Sequence, residues 1–464
     1  MQIKKMEKKT RKNNNDAPVR KITRLQKILR FMAKSLLKKY HPRIIAVTGS
    51  VGKTSAKEAI SVVISGRYFV RKSEKNYNNE IGVPLTIIGV ESGGRSCLRW
   101  LGIFLRWLVF LIFPLKYPEI LILEMSTDRP GDLKYLTDFA KPGISVITDI
   151  SSSHLEYFKN IDTIFKEKAT LAKVLLEKDL VILNSDNVYL AKLKDNPRQF
   201  GVAARVFSFG FEENADARAM DMFLNQFDDM SAAETRFITS PPCGLSFKLN
   251  YKGAMMPLRL SNVLAKHNIY AALAGVSVGI ELGLNLVEIA ASLEKFVLPS
   301  GRTNLIRGIK DTNIIDDTYN SSSITSVEGA LEILREFGNS RKIVVLGDIL
   351  EIGPNTETEH RQAAKKFLEV GGNVFLAVGQ RMKFAVDELR KHKFTGEIYE
   401  FENPMDAGKK LQEIMHTGDV ILVKGSQGMR MEKVVEEVMA EPDRAKELLC
   451  RQNPEWKAVP WREV

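Results

Sequence analysis

A glycine loop that directly follows a short apolar run constrains the fold of this chain more than any other feature. Residues 44–54 read Ile-Ile-Ala-Val-Thr-Gly-Ser-Val-Gly-Lys-Thr, which predicts a strand, a tight turn and the start of a helix. In that arrangement the N–H groups of the loop and of the helix N-terminus converge and bind phosphate oxygens. We therefore expect a phosphate cradle at Gly49, Ser50 and Gly52.

The two residues that end this loop carry the chemistry of a nucleotide site. Lys53 would reach the terminal phosphates of ATP, and Thr54 would ligate the accompanying Mg²⁺. The common spacing, G-x-x-x-x-G-K-[ST], requires glycine at position 47, where this chain has valine. The motif is the shorter T-G-x-x-G-K-T, and the flanking strand and helix favour it over a chance glycine-rich turn.

Strand-like runs alternate with helical segments along the chain, which indicates an α/β fold with mostly parallel sheets. Residues 203–260 are more irregular and predict a small antiparallel section. The strand-like runs lie at 43–47, 120–123, 144–147, 180–183, 313–315, 342–346, 374–378 and 420–423. We predict a basic arm and amphipathic helix (1–42), a central P-loop ATPase domain (43–299), a C-terminal Rossmann-like domain (300–440) and a charged, only partly ordered tail (441–464).

Polar residues at two strand ends predict a metal site beside the loop. Glu124 follows the run at 120–123, and His154 follows the run at 144–147. Because the carboxyl ends of parallel strands meet at one edge of the sheet, a carboxylate and a neutral imidazole there could share a divalent ion with Thr54. Taken singly, each residue is explained as well by a structural hydrogen bond.

The positive charge of the chain is concentrated at its N-terminus. The 464 residues carry 68 Lys and Arg against 56 Asp and Glu, and residues 1–43 alone hold 15 basic and 2 acidic residues. Apolar residues recur at helical spacing over 22–37, which predicts a basic amphipathic helix. Such a helix can lie on an anionic membrane or pack its apolar side on the body. Specific nucleic-acid binding is disfavoured, because only Phe31 and Tyr40 could stack on bases.

A second apolar segment, residues 97–115, has nearly the length of a membrane span. Arg99 and Arg106 interrupt it, and its longest uncharged piece, residues 107–115, is too short for a bilayer core of about 30 Å. An interfacial helix fits this pattern, with a buried helix or a surface for a partner protein as alternatives. Three widely spaced cysteines and the lack of a secretory signal predict a cytoplasmic protein. We expect a monomer that contacts the inner face of the membrane peripherally.

Further motifs lie along residues 43–440. They read N-Y-N-N-E-I-G-V-P-L (76–85), L-E-M-S-T-D-R-P-G-D (123–132), H-L-E (154–156), K-E-K-A (166–169), H-N (267–268), G-R (301–302), I-D-D-T-Y-N (315–320), L-G-D-I-L-E-I-G (346–353), H-R (360–361) and K-G-S (424–426). Together with the loop, they resemble the Mur ligase family, in particular its D-alanyl-D-alanine-adding branch. The loop alone is shared with folylpolyglutamate and cyanophycin synthetases, whereas N-N-E-I-G-V-P, D-D-T-Y-N and L-G-D-x-x-E-x-G are much more specific.

The resemblance implies an ATP-dependent ligase of peptidoglycan-precursor synthesis. In this family ATP converts a substrate carboxylate into an acyl phosphate, and the amine of an amino acid or dipeptide displaces the phosphate to form an amide. The implied catalytic residues are Lys53, His154, Lys168 and Arg302. The implied Mg²⁺ ligands are Thr54, Glu124, His154 and Lys168, the last as a carbamate. A solvated surface position is the alternative for Lys168.

The resemblance also implies contacts with nucleotide and substrate. Beyond the loop, the nucleotide-binding residues would be Asn268, Arg302, Asp317, Tyr319 and Asn320. The carboxyl-bearing substrate would be held by Asn76, Asn78 and Asn79, and the acceptor carboxylate by Lys424 and Ser426. For the three asparagines the alternative is turn formation. His267 and His360 are weaker candidates, with packing or capping as the alternative.

Departures from the family pattern leave the carrier and the acceptor open. The family has an N-terminal domain that binds the UDP end of its substrate, whereas residues 1–42 predict a basic helix, and residues 97–115 are an insertion. Three serines (321–323) follow D-D-T-Y-N where Ala-Asn-Pro-like residues are usual. We expect D-Ala-D-Ala to be added to a UDP-MurNAc-peptide-like substrate. The alternatives are a different or lipid-linked carrier, or a non-catalytic, membrane-associated nucleotide-binding protein.

Overall fold

Two β-sheets organise the part of the chain that the computed structural model describes. That part is residues 23–457 without 75–76, 95, 128, 152–157, 159, 226–243, 262 and 322. One sheet has nine strands and the other has six, and most neighbouring strands in both are parallel. The predicted α/β class with mostly parallel sheets is confirmed. The domain boundaries, including the division near residue 300, stay a prediction.

The nine-stranded sheet places its first strand in its interior, third from one edge. Its strands are β1 (Arg43–Thr48), β2 (Val70–Lys72), β3 (Ile120–Glu124), β4 (Ile144–Ile147), β5 (Leu180–Asn184), β6 (Arg205–Gly210), β7 (Ala217–Asn225), β8 (Gly244–Tyr251) and β9 (Ala254–Ser261). The spatial order is β2-β3-β1-β4-β5-β6-β7-β8-β9, and only the β7-β8 and β8-β9 pairs are antiparallel. The antiparallel section expected within 203–260 is therefore present. Because β1 lies between β3 and β4, the residues that follow these three strands meet at one edge.

Helices cover both faces of this sheet, since β1 is apolar on both. Ile45 and Val47 face a core shared with α2 and α9, and Ile44 and Ala46 face a second core shared with α1, α3, α4 and α5. The helices are α1 (Arg24–Tyr40), α2 (Lys53–Ile64), α3 (Gly82–Ile88), α4 (Cys97–Ile112), α5 (Asp132–Thr137), α6 (Ile161–Lys168), α7 (Thr170–Lys173), α8 (Val188–Asp195), α9 (Ile269–Glu281) and α10 (Leu286–Leu293).

The six-stranded sheet follows in the chain and carries the remaining helices. Its order is β10-β11-β15-β12-β13-β14, with only the β10-β11 pair antiparallel. Its strands are β10 (Asn304–Gly308), β11 (Thr312–Asp317), β12 (Lys342–Gly347), β13 (Val374–Val378), β14 (Glu397–Phe401) and β15 (Val420–Lys424). Its helices are α11 (Ile324–Glu332), α12 (Thr356–Glu369), α13 (Lys383–Lys391), α14 (Pro404–Ile414), α15 (Glu432–Val438), α16 (Ala445–Leu448) and α17 (Pro454–Lys457).

The basic N-terminal helix is part of the folded body. It begins at Arg24, where Thr23 and Gln26 form a capping box, and Leu29, Met32, Ala33 and Leu36 are buried on one face. That face packs against α3 and α4. For this buried face of α1, the structure therefore agrees with the alternative in which the helix packs its apolar side on the body.

Helix α4 is joined to α1 by polar contacts at its C-terminal end. Lys39 Nζ donates to the carbonyl oxygens of Phe110, Leu111 and Phe113 at 2.7–3.0 Å. A cation at these carbonyls complements the negative end of the helix dipole. Trp107 Nε1 donates to Met32 O at 3.0 Å. Within the described residues, no helix combines the length and the apolar character that crossing a membrane requires.

Residues 442–457 of the predicted tail include two short helices, α16 and α17. Ala445 and Leu449 join the apolar core of the second sheet, and Arg451 Nη1 pairs with the fully buried Glu432 carboxylate at 2.7 Å. The same carboxylate pairs with Arg430 Nε at 2.6 Å. The Trp456 ring lies against both guanidinium groups, with centroid distances of 5.3 and 5.8 Å. The ion pair of Arg451 and the ring contacts of Trp456 therefore attach residues 442–457 to the rest of the folded protein.

Candidate active site

The glycine loop lies between β1 and α2, as predicted. Gly49 has φ +154°, and a Cβ at this position would lie 2.0 Å from Thr148 Oγ1. Gly52 caps α2 with φ +83°, a conformation that favours glycine. The loop backbone therefore runs against the end of β4, and the N-terminus of α2 opens at the edge where β1, β3 and β4 end.

Two lysine ammonium groups meet on one carbonyl oxygen of this loop. Lys53 Nζ donates to Gly49 O at 2.7 Å, and Lys168 Nζ donates to the same oxygen at 3.0 Å. Lys168 ends α6, is 2% exposed, and also lies 3.4 Å from Thr127 Oγ1. Burial excludes the alternative in which Lys168 is a solvated surface lysine. The loop thus gathers positive charge from two distant parts of the sequence.

A hydroxyl from the first turn of α2 and a carboxylate from the end of β3 lie close together beside the loop. Thr54 Oγ1 lies 3.4 Å from Glu124 Oε1, and Asn78 Nδ2 donates to the same Oε1 at 3.1 Å. A hydroxyl and a carboxylate are suitable Mg²⁺ ligands, because Mg²⁺ usually takes one or two protein carboxylates and completes its shell with phosphates and water. Nowhere in the described ranges do three His, Cys, Asp or Glu side chains cluster as a metal site of their own. The pair therefore fits a phosphate-completed Mg²⁺ site.

Lys57 is a site residue that the sequence analysis missed. It lies one turn beyond Thr54 on α2, is 1% exposed, and donates from Nζ to Ser73 O at 2.7 Å. Its Nζ lies 3.5 Å from Glu124 Oε2, an oxygen that has no hydrogen bond in the described structure. The carboxylate is thus oriented, with Oε2 towards Lys57 and Oε1 towards Thr54.

Of the three asparagines proposed to bind the carboxyl-bearing substrate, the structure describes Asn78 and Asn79. Asn78 reaches Glu124, whereas Asn79 Oδ1 accepts from the N–H groups of Ile81 and Gly82 at 3.1 and 2.9 Å. This oxygen of Asn79 forms the turn that begins α3, in line with the turn alternative. Asn76 lies outside the described residues, as does the metal-ligand candidate His154.

A cleft of about 950 Å³ separates the glycine loop from the second sheet, a volume suited to a nucleotide-sized ligand. Thr54 and Lys57 line one side, and Arg302 and Tyr319 line the other. The Arg302 guanidinium lies 4.4 Å from the centroid of the Tyr319 ring, and its buried Nε has no hydrogen-bond partner among the residues that the structure describes. Residues 446–457 also line the cleft, a contribution that the tail composition did not suggest.

The other residues proposed for the second sheet lie at the ends of β11 and β15. Lys424 Nζ pairs with Asp317 Oδ2 at 2.6 Å and also donates to Asn320 O at 3.2 Å. The Lys424 ammonium is therefore engaged within the protein. Ser426 Oγ donates to Ser321 O and accepts from Leu350 N, so its hydroxyl links the loops that contain these two residues.

Asn268, which directly precedes α9, is hydrogen-bonded to the segment that leads into the second sheet. Asn268 Nδ2 donates to Thr303 Oγ1 at 2.9 Å. His267, directly before it in the sequence, is exposed to solvent. His360 accepts from Ile349 N at its Nε2, and Thr356 O lies 2.6 Å from its Nδ1, which supports the packing alternative for this residue.

Comparison with known families gives two matches in chain order. The family model for the Mur ligase middle domain matches residues 107–279, and the model for the Mur ligase glutamate ligase domain matches residues 301–427. The chain belongs to the Mur ligase family. This explains why the loop, the Glu124 carboxylate and the cleft to the second sheet occur together.

Individual relatives agree with this family. The UDP-N-acetylmuramoyl-tripeptide–D-alanyl-D-alanine ligase of Bacillus subtilis is 27% identical over 415 residues, which are 89% of this chain and 79% of the relative. MurF from Thermotoga maritima in complex with ADP has a TM-score of 0.71 and 23% identity, covering 92% of this chain and 86% of that one. MurF from Acinetobacter baumannii has a TM-score of 0.70 and 23% identity, covering 89% and 80%. The two structures establish the shared fold.

Proposed function

We propose that this Mur ligase joins a carboxylate to an amine at the expense of ATP, through an acyl phosphate, in the assembly of peptidoglycan precursors. The amine is that of D-Ala-D-Ala, and the carboxylate belongs to a UDP-MurNAc-tripeptide. These substrates are taken from the name of the relative in Bacillus subtilis, which aligns with 89% of this chain. The reaction forms an amide and releases ADP and phosphate.

The observation that carries this proposal is the meeting of Lys53 and Lys168 on Gly49 O, at 2.7 and 3.0 Å. Activation of a carboxylate by ATP forces two anions together, and cations held in place lower the cost of that approach. One lysine comes from the loop and the other from the end of α6. Lys53 supplies one such cation as its ammonium group, and Lys168, once converted to a carbamate, would supply the other by holding a metal ion.

Thr54 and Glu124 would hold one Mg²⁺, which when bound supplies charge neutralisation for the phosphates. Lys57 positions Glu124 for this role, because its ammonium group attracts Oε2 and leaves Oε1 directed at Thr54. Lys168 is buried beside the loop, so a carbamate formed from its Nζ and CO₂, with loss of a proton, would add an anion for a second metal. His154 remains a candidate ligand.

Residues across the cleft would close on the nucleotide. Arg302 is half-buried, and within the described part of the chain its Nε has no hydrogen-bond partner, which fits a guanidinium that reaches a phosphate. Tyr319 and Asn268 would line the nucleotide, with Asp317 and Asn320 beside them. Lys424 and Ser426 would act on the acceptor side by fixing the loops that face it, since both side chains already bond within the protein.

Phosphate release from ATP and Mg²⁺ tests the reaction. We expect release that requires both UDP-MurNAc-tripeptide and D-Ala-D-Ala, together with an amide product of the expected mass. Release with the tripeptide and a different amine would retain the ligase and reject the dipeptide. No release with any soluble UDP-linked peptide, although ADP binds, would contradict the proposed carrier.

Lys168 gives the sharper test of the mechanism. Lys168→Ala should abolish ligation, and added acetate should partly restore it if a carboxylate is what the variant lacks. Lys166→Ala is the matched control, since Lys166 lies on the same helix and is exposed. Full activity of Lys168→Ala would exclude the carbamate, and equal losses in both variants would indicate damage to α6 instead.

A further inference from the structure

Helix α4 turns an apolar face to solvent. Leu98, Leu101, Leu105 and Ile112 are spaced by three, four and seven residues, which places them on one side of the helix. Their exposed fractions are 81%, 53%, 51% and 61%. Only Ile103, Trp107 and Phe110 of this helix are buried, on the opposite side. A solvent-facing surface of this kind marks an interaction site.

Helix α1 extends this apolar surface past the edge of α4. Phe31 is 65% exposed, and its ring centroid lies 6.0 Å from that of Trp107. The Trp107 ring lies 5.3 Å from the ring of Phe104, which is 45% exposed and lies between Trp107 and the exposed leucines around α4. Ile28, one turn earlier, is also exposed. Because α1 and α4 are joined by the Trp107 and Lys39 hydrogen bonds, the two helices form a single rigid surface, which we call the α1–α4 face.

All charged side chains on the two helices of the α1–α4 face are basic. Neither α1 nor α4 contains an acidic residue. Exposed basic side chains flank the apolar positions: Arg24, Lys27, Lys34 and Lys38 on α1, and Arg99 and Arg106 on α4. Residues 1–22, which precede α1 in the sequence, add eight basic and two acidic residues.

We propose that the α1–α4 face docks on an anionic lipid bilayer, with the leucines of α4 inserted at the boundary of headgroups and acyl chains and the basic side chains at the lipid phosphates. An apolar face flanked by Lys and Arg matches both layers of such an interface. A second copy of the chain fits less well, because it would bring the two basic rims together. The inference does not rest on the proposed ligase function.

Co-sedimentation of the full chain with lipid vesicles tests this surface. Vesicles of phosphatidylcholine with about 30 mol % phosphatidylglycerol should bind the protein, and vesicles of phosphatidylcholine alone should bind it weakly. Raising the salt to about 1 M should weaken the electrostatic part of the binding. The Leu101→Glu/Leu105→Glu double variant should bind anionic vesicles more than about tenfold less tightly, since it adds two anions to the inserted face.

The matched control is Val188→Glu/Val287→Glu, which alters valines that are 65% and 66% exposed on α8 and α10. Both double variants should keep the circular dichroism spectrum and ADP affinity of the wild type, because all four positions are exposed. Equal vesicle binding by the two double variants would overturn the proposal. So would equal binding to neutral and anionic vesicles.

Two further results would assign the face differently. If deletion of residues 1–22 abolished binding while the Leu101→Glu/Leu105→Glu variant retained it, the arm and not the α1–α4 face would be the membrane contact. If that double variant converted a dimer into a monomer and left vesicle binding unchanged, the face would belong to a second copy. Either outcome rejects bilayer docking by α4.

Discussion

Removal of the buried ammonium of Lys57 should destabilise the protein strongly, because it leaves Glu124 without its charged neighbour. The two side chains are 1% and 3% exposed, and Lys57 Nζ lies 3.5 Å from Glu124 Oε2. At an effective dielectric constant of about 20, two unit charges at this distance attract by about 5 kcal/mol. Breaking a buried pair by removing one partner costs about 3–5 kcal/mol. We therefore expect Lys57→Met to lower the free energy of unfolding by about 3–5 kcal/mol.

Urea denaturation followed by circular dichroism measures this loss, and a second variant identifies its cause. In Lys57→Met/Glu124→Gln the uncompensated carboxylate is gone, so much of the lost stability should return. Lys72→Met is the matched control, since Lys72 pairs with Glu58 in the same cluster but is 31% exposed. Its removal should cost less than about 1 kcal/mol.

Two results would refute this reasoning. A loss below about 1 kcal/mol for Lys57→Met would show that Glu124 does not depend on the lysine charge. A double variant as unstable as Lys57→Met would show that the cost comes from lost packing of the lysine stem and not from the carboxylate. A supporting result would also include weaker Mg²⁺-dependent binding of ADP by Lys57→Met, because the variant frees Glu124 to turn away from Thr54.

Two further predictions concern the second sheet. Arg451→Met should cost about 2 kcal/mol and raise amide exchange across residues 442–457, because Glu432 keeps Arg430 but the segment loses its own ion pair; unchanged exchange would contradict this. Burial raises the pKa of Asp316 from 3.8 to about 7. The folded protein then holds a proton that the unfolded chain has lost, so stability should fall as pH rises from about 4 to about 7, and Asp316→Asn should flatten the fall in Tm over that same pH range. Equal slopes of Tm against pH for the wild type and Asp316→Asn would contradict the raised pKa of Asp316.

The strands were predictable because they are buried on both faces. Parallel strands covered by helices read as continuous apolar runs, and their ends are marked by the first polar or glycine residue. The runs at 144–147 and 374–378 coincide with β4 and β13, five further runs each end one residue before their strand, and the run at 313–315 covers the middle of β11. No run was predicted for β2, β10 or β14, which are only partly buried. The glycine loop was predictable for the same reason, since it is defined by its position between such a run and a helix.

Lys57 and the 442–457 segment were not predictable from local pattern. A lysine on an amphipathic helix is usually solvated, and what buries Lys57 is the carbonyl of Ser73 and the carboxylate of Glu124, which are remote in sequence. The C-terminal segment is charged, and charge usually indicates solvation. Here its decisive partner, Glu432, lies 19 residues before Arg451, so no helical or strand period reveals the pair.

The packing of α1 on α3 and α4 has a consequence for synthesis on the ribosome. Helix α1 is complete at Tyr40, but α4 is complete only at Ile112, about seventy residues later. At about 5–20 residues per second, the nascent helix waits roughly 4–14 s for its partner. During that interval Leu29, Met32 and Leu36 lack the part of their core that α4 supplies. The emerging N-terminus is then a basic, amphipathic, unassembled helix, and it is at this stage that chaperones or the membrane surface compete with folding.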